Sequence, residues 1–431
     1  MKSKSSNCQW LSLDPSARGL FALALLVATS FPRNATAGDW PQWRGPARDA
    51  VAPGGMALTS LPNNLKPIWK IQIGGGHAAP ILAGGKLVYL DENGEQEVAH
   101  LIDAKSGKES WRTPFASMYQ DEWGAGPRST PTIDGDRVYV QSCTGEFRCL
   151  NLADGKPIWS TSFEKDFGVV FVGSKANEGT ARRRGNNGSG VIDENRIVLP
   201  VGSTTGASLV CFDKRTGAVF WKTGEDEAAY SSLMTATLAG VRQVVAFTAD
   251  ALVGADLRDG KILWRESLKT NAKRHAASPV IIGDSVLVNS HTFGLIAFRI
   301  SKTGAGLKSE RAWLNADLKI NLATPIVVGD YLFSQGPAKN FVCVEAQTGK
   351  QRWAQDGFGK EYSSTLAVGK NLLVLTDLGE LVLVAADPEK YVELGRQQVC
   401  GKTWSFPAFA DGKLYVRDSK ELQCFDLVSA K

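Results

Sequence analysis

The 431-residue sequence predicts an all-β fold, an eight-bladed β-propeller of four-stranded blades whose ring is closed by an N-terminal strand. Three observations predict it. One motif recurs along the chain, and a second motif precedes each copy. The last repeat lacks its final strand, and a strand of that pattern stands at the start of the repeat region. A spacing of roughly 45 residues per unit lies within the range of propeller blades.

The first motif ends each repeat and reads Asp, then Gly four residues later, then Trp after four more. Glycine supplies the positive φ of a hairpin turn, and the Asp carboxylate can accept backbone N–H groups there. A Trp repeated in every unit serves the unit, so we expect it to pack between neighbouring blades. The copies are Asp103/Gly107/Trp111, Asn151/Gly155/Trp159, Asp213/Gly217/Trp221, Asp256/Gly260/Trp264, Glu345/Gly349/Trp353 and a looser Arg299/Gly304/Trp313.

The second motif begins each repeat and reads Ser/Thr-Pro, a few apolar residues, a turn with Gly and an apolar strand. Alternating β-branched and aromatic residues favour strands in both halves, which gives four strands per unit. We call each copy of this second motif the head of its repeat. The heads begin near Pro80, Pro131, Gly190, Ala236, Pro279, Pro325, Thr365 and Pro407.

Ring closure is predicted from the two ends of the repeat region. The last copy stops at Cys424-Phe425-Asp426 and has no Trp strand of its own. A strand of the right pattern, Leu65 to Trp69, stands at the other end without a head before it. Pairing these two strands would leave no sheet edge exposed, and Trp69 would take the blade-packing position.

The N-terminal region reads as an export signal. An apolar run from Leu20 to Val27 follows basic residues, and Ala35-Thr36-Ala37 offers a cleavage site. Cys8 precedes this run, so we do not expect a lipid anchor after it. The predicted organisation is a signal peptide at 1–37, a leader segment at 38–64 and the propeller at 65–431. We expect a periplasmic or secreted monomer without a transmembrane anchor.

Charge argues against nucleic acid as a partner. Removing residues 1–37 takes away four basic residues and one acid, so the formal charge falls from +5 to +2. The densest basic cluster, Arg182-Arg183-Arg184 with Lys175 nearby, has acidic segments around it. No general basic face is therefore expected.

The repeat resembles the PQQ-like (quinoprotein-type) propeller family, and the stretch from Asp39 to Pro46 looks like the leader of its exported bacterial members. This resemblance implies one of two functions. Some members are dehydrogenases that use pyrroloquinoline quinone (PQQ) with calcium. Others are non-catalytic and similar to the propeller protein of the outer-membrane β-barrel assembly machine. The chain has no adjacent Cys pair, which the alcohol dehydrogenases of the family carry over the quinone.

Six cysteines remain after signal removal, and four occupy one repeat position, two residues before the Asp column. The other blades have Leu101, Gly254, Ala297 and Ala385 there, which indicates a small buried position. Cys149, Cys211, Cys343 and Cys424 should then be unpaired core residues. A disulfide between Cys143 and Cys149, which flank one hairpin, remains an alternative.

A binding site is expected at the mouth of the central channel. The residues just before each innermost strand should ring it, and this register gives polar or aromatic side chains at all eight entries, with no acid among them. A ligand or partner segment could bind there; alternatively, the ring only holds water. These mouth residues are His77, Arg128, Asn187, Tyr230, His275, Asn321, Tyr362 and Trp404.

The sequence therefore favours an exported, non-catalytic scaffold that binds an envelope or secreted protein partner. No catalytic motif occurs and the four His lack zinc spacing, so we predict no catalytic residue, no metal site and no cofactor. The alternative is a PQQ- and calcium-dependent alcohol or sugar dehydrogenase. That enzyme needs carboxylates and amides in the funnel, and the register supplies Asn187 and Asn321 only.

Overall fold

The computed structural model describes residues 38–170, 185–270, 273 and 275–428, and this part of the chain forms an eight-bladed β-propeller. Each blade is a four-stranded antiparallel sheet, as the sequence predicted. Several neighbouring blades contact each other through their innermost strands, among them the first and last blades of the ring. The predicted signal peptide, residues 1–37, and the cluster Arg182-Arg183-Arg184 lie outside the described residues.

The first four blades follow each other directly in the chain. Blade 1 contains β2 (Ile81–Ala83), β3 (Lys86–Asn93), β4 (Gln96–Asp103) and β5 (Glu109–Ser117), and its sheet is followed by the ribbon β6 (Gln120–Asp121) and β7 (Gly124–Ala125). Blade 2 contains β8 (Thr132–Asp134), β9 (Arg137–Gln141), β10 (Glu146–Asn151) and β11 (Pro157–Ser162), followed by helix α1 (Phe163–Phe167). Blade 3 contains β12 (Val191–Asp193), β13 (Arg196–Leu199), β14 (Leu209–Asp213) and β15 (Val219–Thr223). Blade 4 contains β16 (Met234–Leu238), β17 (Val241–Phe247), β18 (Ala251–Asp256) and β19 (Ile262–Ser267).

The remaining blades complete the ring. Blade 5 contains β20 (Val280–Ile282), β21 (Ser285–Ser290), β22 (Gly294–Thr303) and β23 (Gly306–Asn315). Blade 6 contains β24 (Ile326–Val328), β25 (Tyr331–Gln335), β26 (Asn340–Glu345) and β27 (Gln351–Asp356). Blade 7 contains β28 (Ser363–Val368), β29 (Asn371–Thr376), β30 (Glu380–Ala385) and β31 (Glu393–Gln398). Blade 8 contains β32 (Ala408–Ala410), β33 (Lys413–Arg417), β34 (Glu421–Asp426) and, from the N-terminal side, β1 (Pro67–Gln72).

The ring closes by pairing β1 with β34, as predicted. The two strands are antiparallel, with Trp69 opposite Cys424 and Gln72 opposite Glu421. Blade 8 is thus built from both ends of the repeat region. Its outer strand joins a sheet whose three other strands lie more than 330 residues away in the sequence, and this removes two free edges at once.

The Trp side chains of the repeat lie between blades. Most donate the indole N–H to a backbone carbonyl of the next blade: Trp111 to Leu152 at 3.1 Å is typical. Trp264 differs, since its N–H goes to the Gln243 side chain within its own blade. The Trp side chains that bond across blades are Trp69, Trp111, Trp159, Trp221, Trp313 and Trp353.

The turn glycines provide space for these Trp rings. Gly155 has φ +70°, and a Cβ placed there would come within 2.7 Å of the Trp111 ring of the preceding blade. Glycine is therefore needed at this position for two reasons: the backbone is left-handed, and the Trp111 ring lies too close for a Cβ. The Gly-to-Trp spacing of the motif reflects a contact between blades rather than within one.

The described cysteines are all unpaired and buried, including Cys143 and Cys149, so the alternative of a disulfide does not hold in this structure. In the strand register, Cys149 lies opposite Trp159, and the other three aligned cysteines also face a Trp. The assignment of Ala385 to this column was wrong. In blade 7 the strand register places Leu383 at this repeat position, opposite Gly395. Gly395 stands where the other blades have a Trp, so the motif offered no Trp by which to align this blade.

The leader segment 38–64 runs along the inner edges of the innermost strands. Trp40 exchanges backbone hydrogen bonds with Leu82 of β2, and the Ile133 N–H of β8 donates to the Pro41 carbonyl. Across the ring, Ala52 and Ala367 of β28 are bonded at 2.8 Å. These strand edges would otherwise expose unpaired N–H and C=O groups, so the leader segment is part of the fold.

Candidate functional site

A cavity of about 390 Å³ lies at the end of the ring where the innermost strands begin. We call it the funnel cavity. Its volume falls within the range of small-molecule sites. Its lining residues come from most blades and from the leader segment: Trp43, His77, Trp123, Arg128, Thr130, Asn187, Ser189, Tyr230, Ser232, Ala276, Asn321, Leu322, Glu361, Tyr362 and Trp404.

The structure brings together seven of the eight mouth residues in the lining of this cavity, and His275 is the exception. Its ring stacks on Phe247 at 3.9 Å between centroids, and Nδ1 lies 2.8 Å from the Thr248 carbonyl oxygen. Burial lowers the pKa of His275 to about 4, so this imidazole is neutral. Ala276 lines the cavity instead, because a shift of one residue turns a side chain to the other side of the backbone.

One wall of the funnel cavity is aromatic. Trp404 packs against His77 at 5.6 Å and Trp123 at 5.3 Å between ring centroids. Burial, together with the nearby charge of Arg128, lowers the pKa of His77 to about 4, so the ring is uncharged at neutral pH. Trp123 remains 42% exposed. It belongs to the turn between β6 and β7, and no sequence pattern indicates that this turn reaches the channel.

A fixed ion pair supports the neighbouring wall. Arg128 Nη1 lies 2.9 Å from Asp121 Oδ2, and Nη2 bonds the second carboxylate oxygen. The guanidinium also covers the Tyr119 ring at 5.1 Å. Burial alone would lower the pKa of Arg128, but its bonds to Asp121 raise it, so the pair is charged. This bidentate geometry holds the arginine against the cavity wall.

The expectation of a funnel without acid was wrong, because Glu361 lines the cavity beside Tyr362. The Glu361 N–H donates to Asp377 Oδ2 at 3.1 Å, and Lys360 N–H donates to the other oxygen of that carboxylate. Asp377 therefore fixes the loop before β28 so that two successive side chains reach the funnel cavity. A one-residue-per-blade register could not anticipate this.

Several polar atoms of the lining are buried and have no hydrogen-bond partner within the described protein. They are Trp43 Nε1, Trp404 Nε1, Asn187 Oδ1 and Arg128 Nε. An unmade hydrogen bond of a buried polar group costs about 1–3 kcal/mol. An occupant of the funnel cavity that supplies donors and acceptors would recover this energy, and an aromatic or aliphatic group would pack on the Trp wall.

The leader segment forms the floor. Trp43 packs edge-on against Phe406 at 5.2 Å. Its neighbour Arg44 bonds the Pro325 carbonyl of blade 6, and Arg48 bonds the Gly190 carbonyl of blade 3. The segment thus crosses the channel between blades 3 and 6, and its Trp43 side chain contributes to the lining of the funnel cavity.

Among the described residues, no group of three or more His, Cys, Asp or Glu is placed to hold a metal ion. Within the same ranges, the helices are too short or too polar to cross a bilayer.

Comparison with known sequences places the chain near one protein family. Residues 94–355 match the family model described as outer membrane protein assembly factor BamB. A protein of that name from Burkholderia pseudomallei is 25% identical over 359 residues, which cover 73% of this chain and 87% of the relative. A second, from Shewanella oneidensis, is 22% identical over 373 residues, covering 81% and 85%.

Solved structures agree on the fold. BamB from Moraxella catarrhalis superposes with a TM-score of 0.56 at 11% identity, covering 85% of this chain and 99% of that one. A quinohemoprotein alcohol dehydrogenase from Pseudomonas putida also reaches 0.56, at 12% identity, covering 91% and 80%. Since the two scores are equal, the fold does not choose between a scaffold and an enzyme.

Proposed function

The chain belongs to the family of outer membrane protein assembly factor BamB, and from this membership we propose that it is an exported, non-catalytic scaffold in outer-membrane protein assembly. The similarity to the Burkholderia and Shewanella proteins, which covers 73% and 81% of this chain, supports the proposal. In this role the propeller is a rigid body that positions loops around the channel mouth. Its partners are envelope proteins, which bind it in the periplasm.

The observation that carries the binding role is the funnel cavity itself. It combines a Trp wall, polar side chains and buried polar atoms that have no hydrogen-bond partner among the described residues. Interface cores use the same combination of aromatic anchors and a few fixed polar groups. We propose that the funnel cavity receives a short segment of a partner protein, and that an apolar side chain of this segment packs against Trp123 and Trp404.

The quinone alternative is less well supported by the donor set. Calcium needs about six to eight oxygen ligands, several of them carboxylates. Glu361 is the one carboxylate among the residues that line the cavity, and nearby Asp121 is already held by Arg128. The residues therefore do not fit a PQQ–calcium centre. On mixing with PQQ, calcium and an alcohol or sugar, the purified protein should not reduce a redox dye; turnover would reverse our choice.

Co-purification from the envelope fraction tests the binding role. We expect the mature protein to retain components of the outer-membrane β-barrel assembly machinery, and Trp123→Ala with Trp404→Ala to lose them. Phe220→Ala is a matched control, because Phe220 is 44% exposed, much like Trp123, but lies on the outermost strand of blade 3. Retention of every partner by the double variant would remove the funnel cavity as the site.

Export has a direct test of its own. Expressed in a bacterial host, the chain should be recovered from the periplasm with Gly38 as its N-terminal residue. N-terminal sequencing of the periplasmic protein checks this cleavage after Ala37. Recovery of the intact N-terminus in the cytoplasm would contradict the exported role.

A further inference from the structure

Two arginines of the leader segment, close in sequence to Trp43 of the cavity lining, are buried inside the ring. Arg44 is 3% exposed and Arg48 is 4% exposed. The carboxylate whose charge reaches Arg44 is Asp49, and among the described residues none does so for Arg48. Burying a cation without an opposite charge is costly, so the partners of these guanidinium groups matter.

The hydrogen bonds of Arg48 occupy one side of its guanidinium. Nη1 donates to the Gly190 carbonyl at 3.0 Å and to Gln42 Oε1 at 3.2 Å. Nε and Nη2 are buried and have no partner within the described protein. These two nitrogens form the edge whose parallel N–H bonds bind carboxylate and phosphate in bidentate fashion. The edge is fixed in direction because Nη1 is held by blade 3.

Arg417 shows that this fold can satisfy a buried arginine with its own backbone. It is 1% exposed, and its three nitrogens all donate to carbonyl oxygens, those of Leu90, Gly74 and Asp418. Arg48 is almost equally buried but keeps an open edge, and Arg44 likewise leaves Nε unpaired. The contrast separates an arginine used only for packing from a pair that can accept an anion.

Both leader arginines carry their charge at neutral pH. Burial lowers the pKa of Arg44 to about 10. Burial and the nearby Arg44 lower the pKa of Arg48 to about 9. The backbone is also constrained, since both residues have φ +59° and Ala50 has φ +65°, values that are strained for residues with a Cβ. The chain therefore accepts strain in the segment that brings two positive charges together inside the ring.

We propose that the ring binds a small oxyanion on the Nε/Nη2 edge of Arg48, with Arg44 as the second cation. The ligand class is a carboxylate or an inorganic oxyanion such as phosphate or sulfate, which share this bidentate geometry. The anion enters from the funnel cavity, because Ser189, next to Gly190, belongs to its lining. Neither arginine belongs to the lining that is offered to a partner protein, so the inference does not depend on the proposed function.

Anion titration of the purified mature protein tests the proposal. Thermal unfolding is followed in phosphate, sulfate, acetate and succinate, with ionic strength balanced by chloride, which serves as the reference anion. We expect a saturable rise in the melting temperature with one oxyanion class, since a ligand of the native state stabilises it. Phosphate or sulfate alone would identify the inorganic source, and acetate or succinate the carboxylate source. No saturable rise with any of them would overturn the proposal.

Variants test whether anion binding depends on the Nε/Nη2 edge of Arg48. Arg48→Lys keeps the charge but loses the bidentate edge, so the affinity should fall by about tenfold or more. Arg311→Lys is the matched control, because Arg311 is exposed on the outermost strand β23 of blade 5 and should leave the affinity unchanged. Equal loss in both variants, or no loss in Arg48→Lys, would contradict the site.

Crystallography gives a readout that does not need a variant. In crystals of the wild-type protein soaked with selenate or bromoacetate, an anomalous peak should appear beside Arg48 within the ring. Density for water alone at the Nε/Nη2 edge of Arg48 in both soaks would overturn the proposal. This result stands even if a variant of Arg48 fails to fold.

Discussion

Glu97→Gln should stabilise the protein at alkaline pH and leave it unchanged at acidic pH. Glu97 lies on β4 of blade 1 and is 0% exposed. One carboxyl oxygen accepts the Tyr119 N–H at 3.3 Å, while Oε2 has no hydrogen-bond partner within the part of the chain that the structure describes. Burial raises its pKa from 4.5 to about 7, although Ser142, the Tyr119 amide and Arg128 act in the opposite direction.

The magnitude follows from linkage between protonation and folding. The folded protein holds this proton more tightly than the unfolded chain, so the contribution is complete below pH 4.5 and is lost as the pH rises through 7. At 1.36 kcal/mol per pKa unit, the difference between the two values corresponds to about 3 kcal/mol. Glutamine cannot ionise and avoids this loss.

Urea unfolding at pH 4.5, 6 and 8 measures the effect. Relative to wild type, the free energy of unfolding of Glu97→Gln should gain about 3 kcal/mol between pH 4.5 and 8. Glu95→Gln is the control, since Glu95 is exposed at the turn of the same hairpin and should show no such gain. Parallel curves for wild type and Glu97→Gln over this range would refute the reasoning.

Four further predictions concern the blades. Trp313→Phe loses one bond between blades and should lower the free energy of unfolding by about 1 kcal/mol, and an unchanged urea midpoint would contradict this. Gly155→Ala should cost about 2 kcal/mol or more in the same assay, because the new Cβ meets Trp111 in a left-handed backbone; a neutral effect would argue against the contact. Burial alone would lower the pKa of His100, but its two carboxylate partners raise it, so its contribution is complete below pH 6.5 and is lost at higher pH. His100→Gln should therefore destabilise more at pH 5.5 than at pH 9, and an equal loss at both would be inconsistent. Finally, burial raises the pKa of the Cys343 thiol to about 12, so a thiol reagent should label it only after unfolding; rapid labelling of the native protein would contradict its place in the core.

Much of the candidate site could be predicted because the repeat fixes a register. Once Gly and Trp positions are aligned, the residue before each innermost strand is known, and seven mouth residues do line one cavity. The register fails where a loop shifts by one residue. His275 turns into the core beside Phe247. Glu361 joins Tyr362 in the lining because the Asp377 carboxylate accepts hydrogen bonds from the Lys360 and Glu361 N–H groups.

Contacts that join distant segments carried no local signal. Trp123 reaches the channel from a ribbon outside the four-stranded sheet, and Trp43 reaches it from the leader segment. Nothing in the spacing of the leader residues indicates that Arg44 and Arg48 would be buried between blades 6 and 3. The replacement of a Trp by Gly395 in blade 7 also became clear only from the strand register.

The repeating unit, the number of blades and the closure of the ring could all be read from the amino-acid sequence alone. These properties depend on short-range patterns, namely strand alternation, turn glycines and a Trp that each unit needs for its neighbour. The tertiary structure decided what lines and closes the channel. Side chains from the leader segment and from several blades meet there only after the ring has formed, and their burial, charge and hydrogen bonds follow from that meeting rather than from the local sequence.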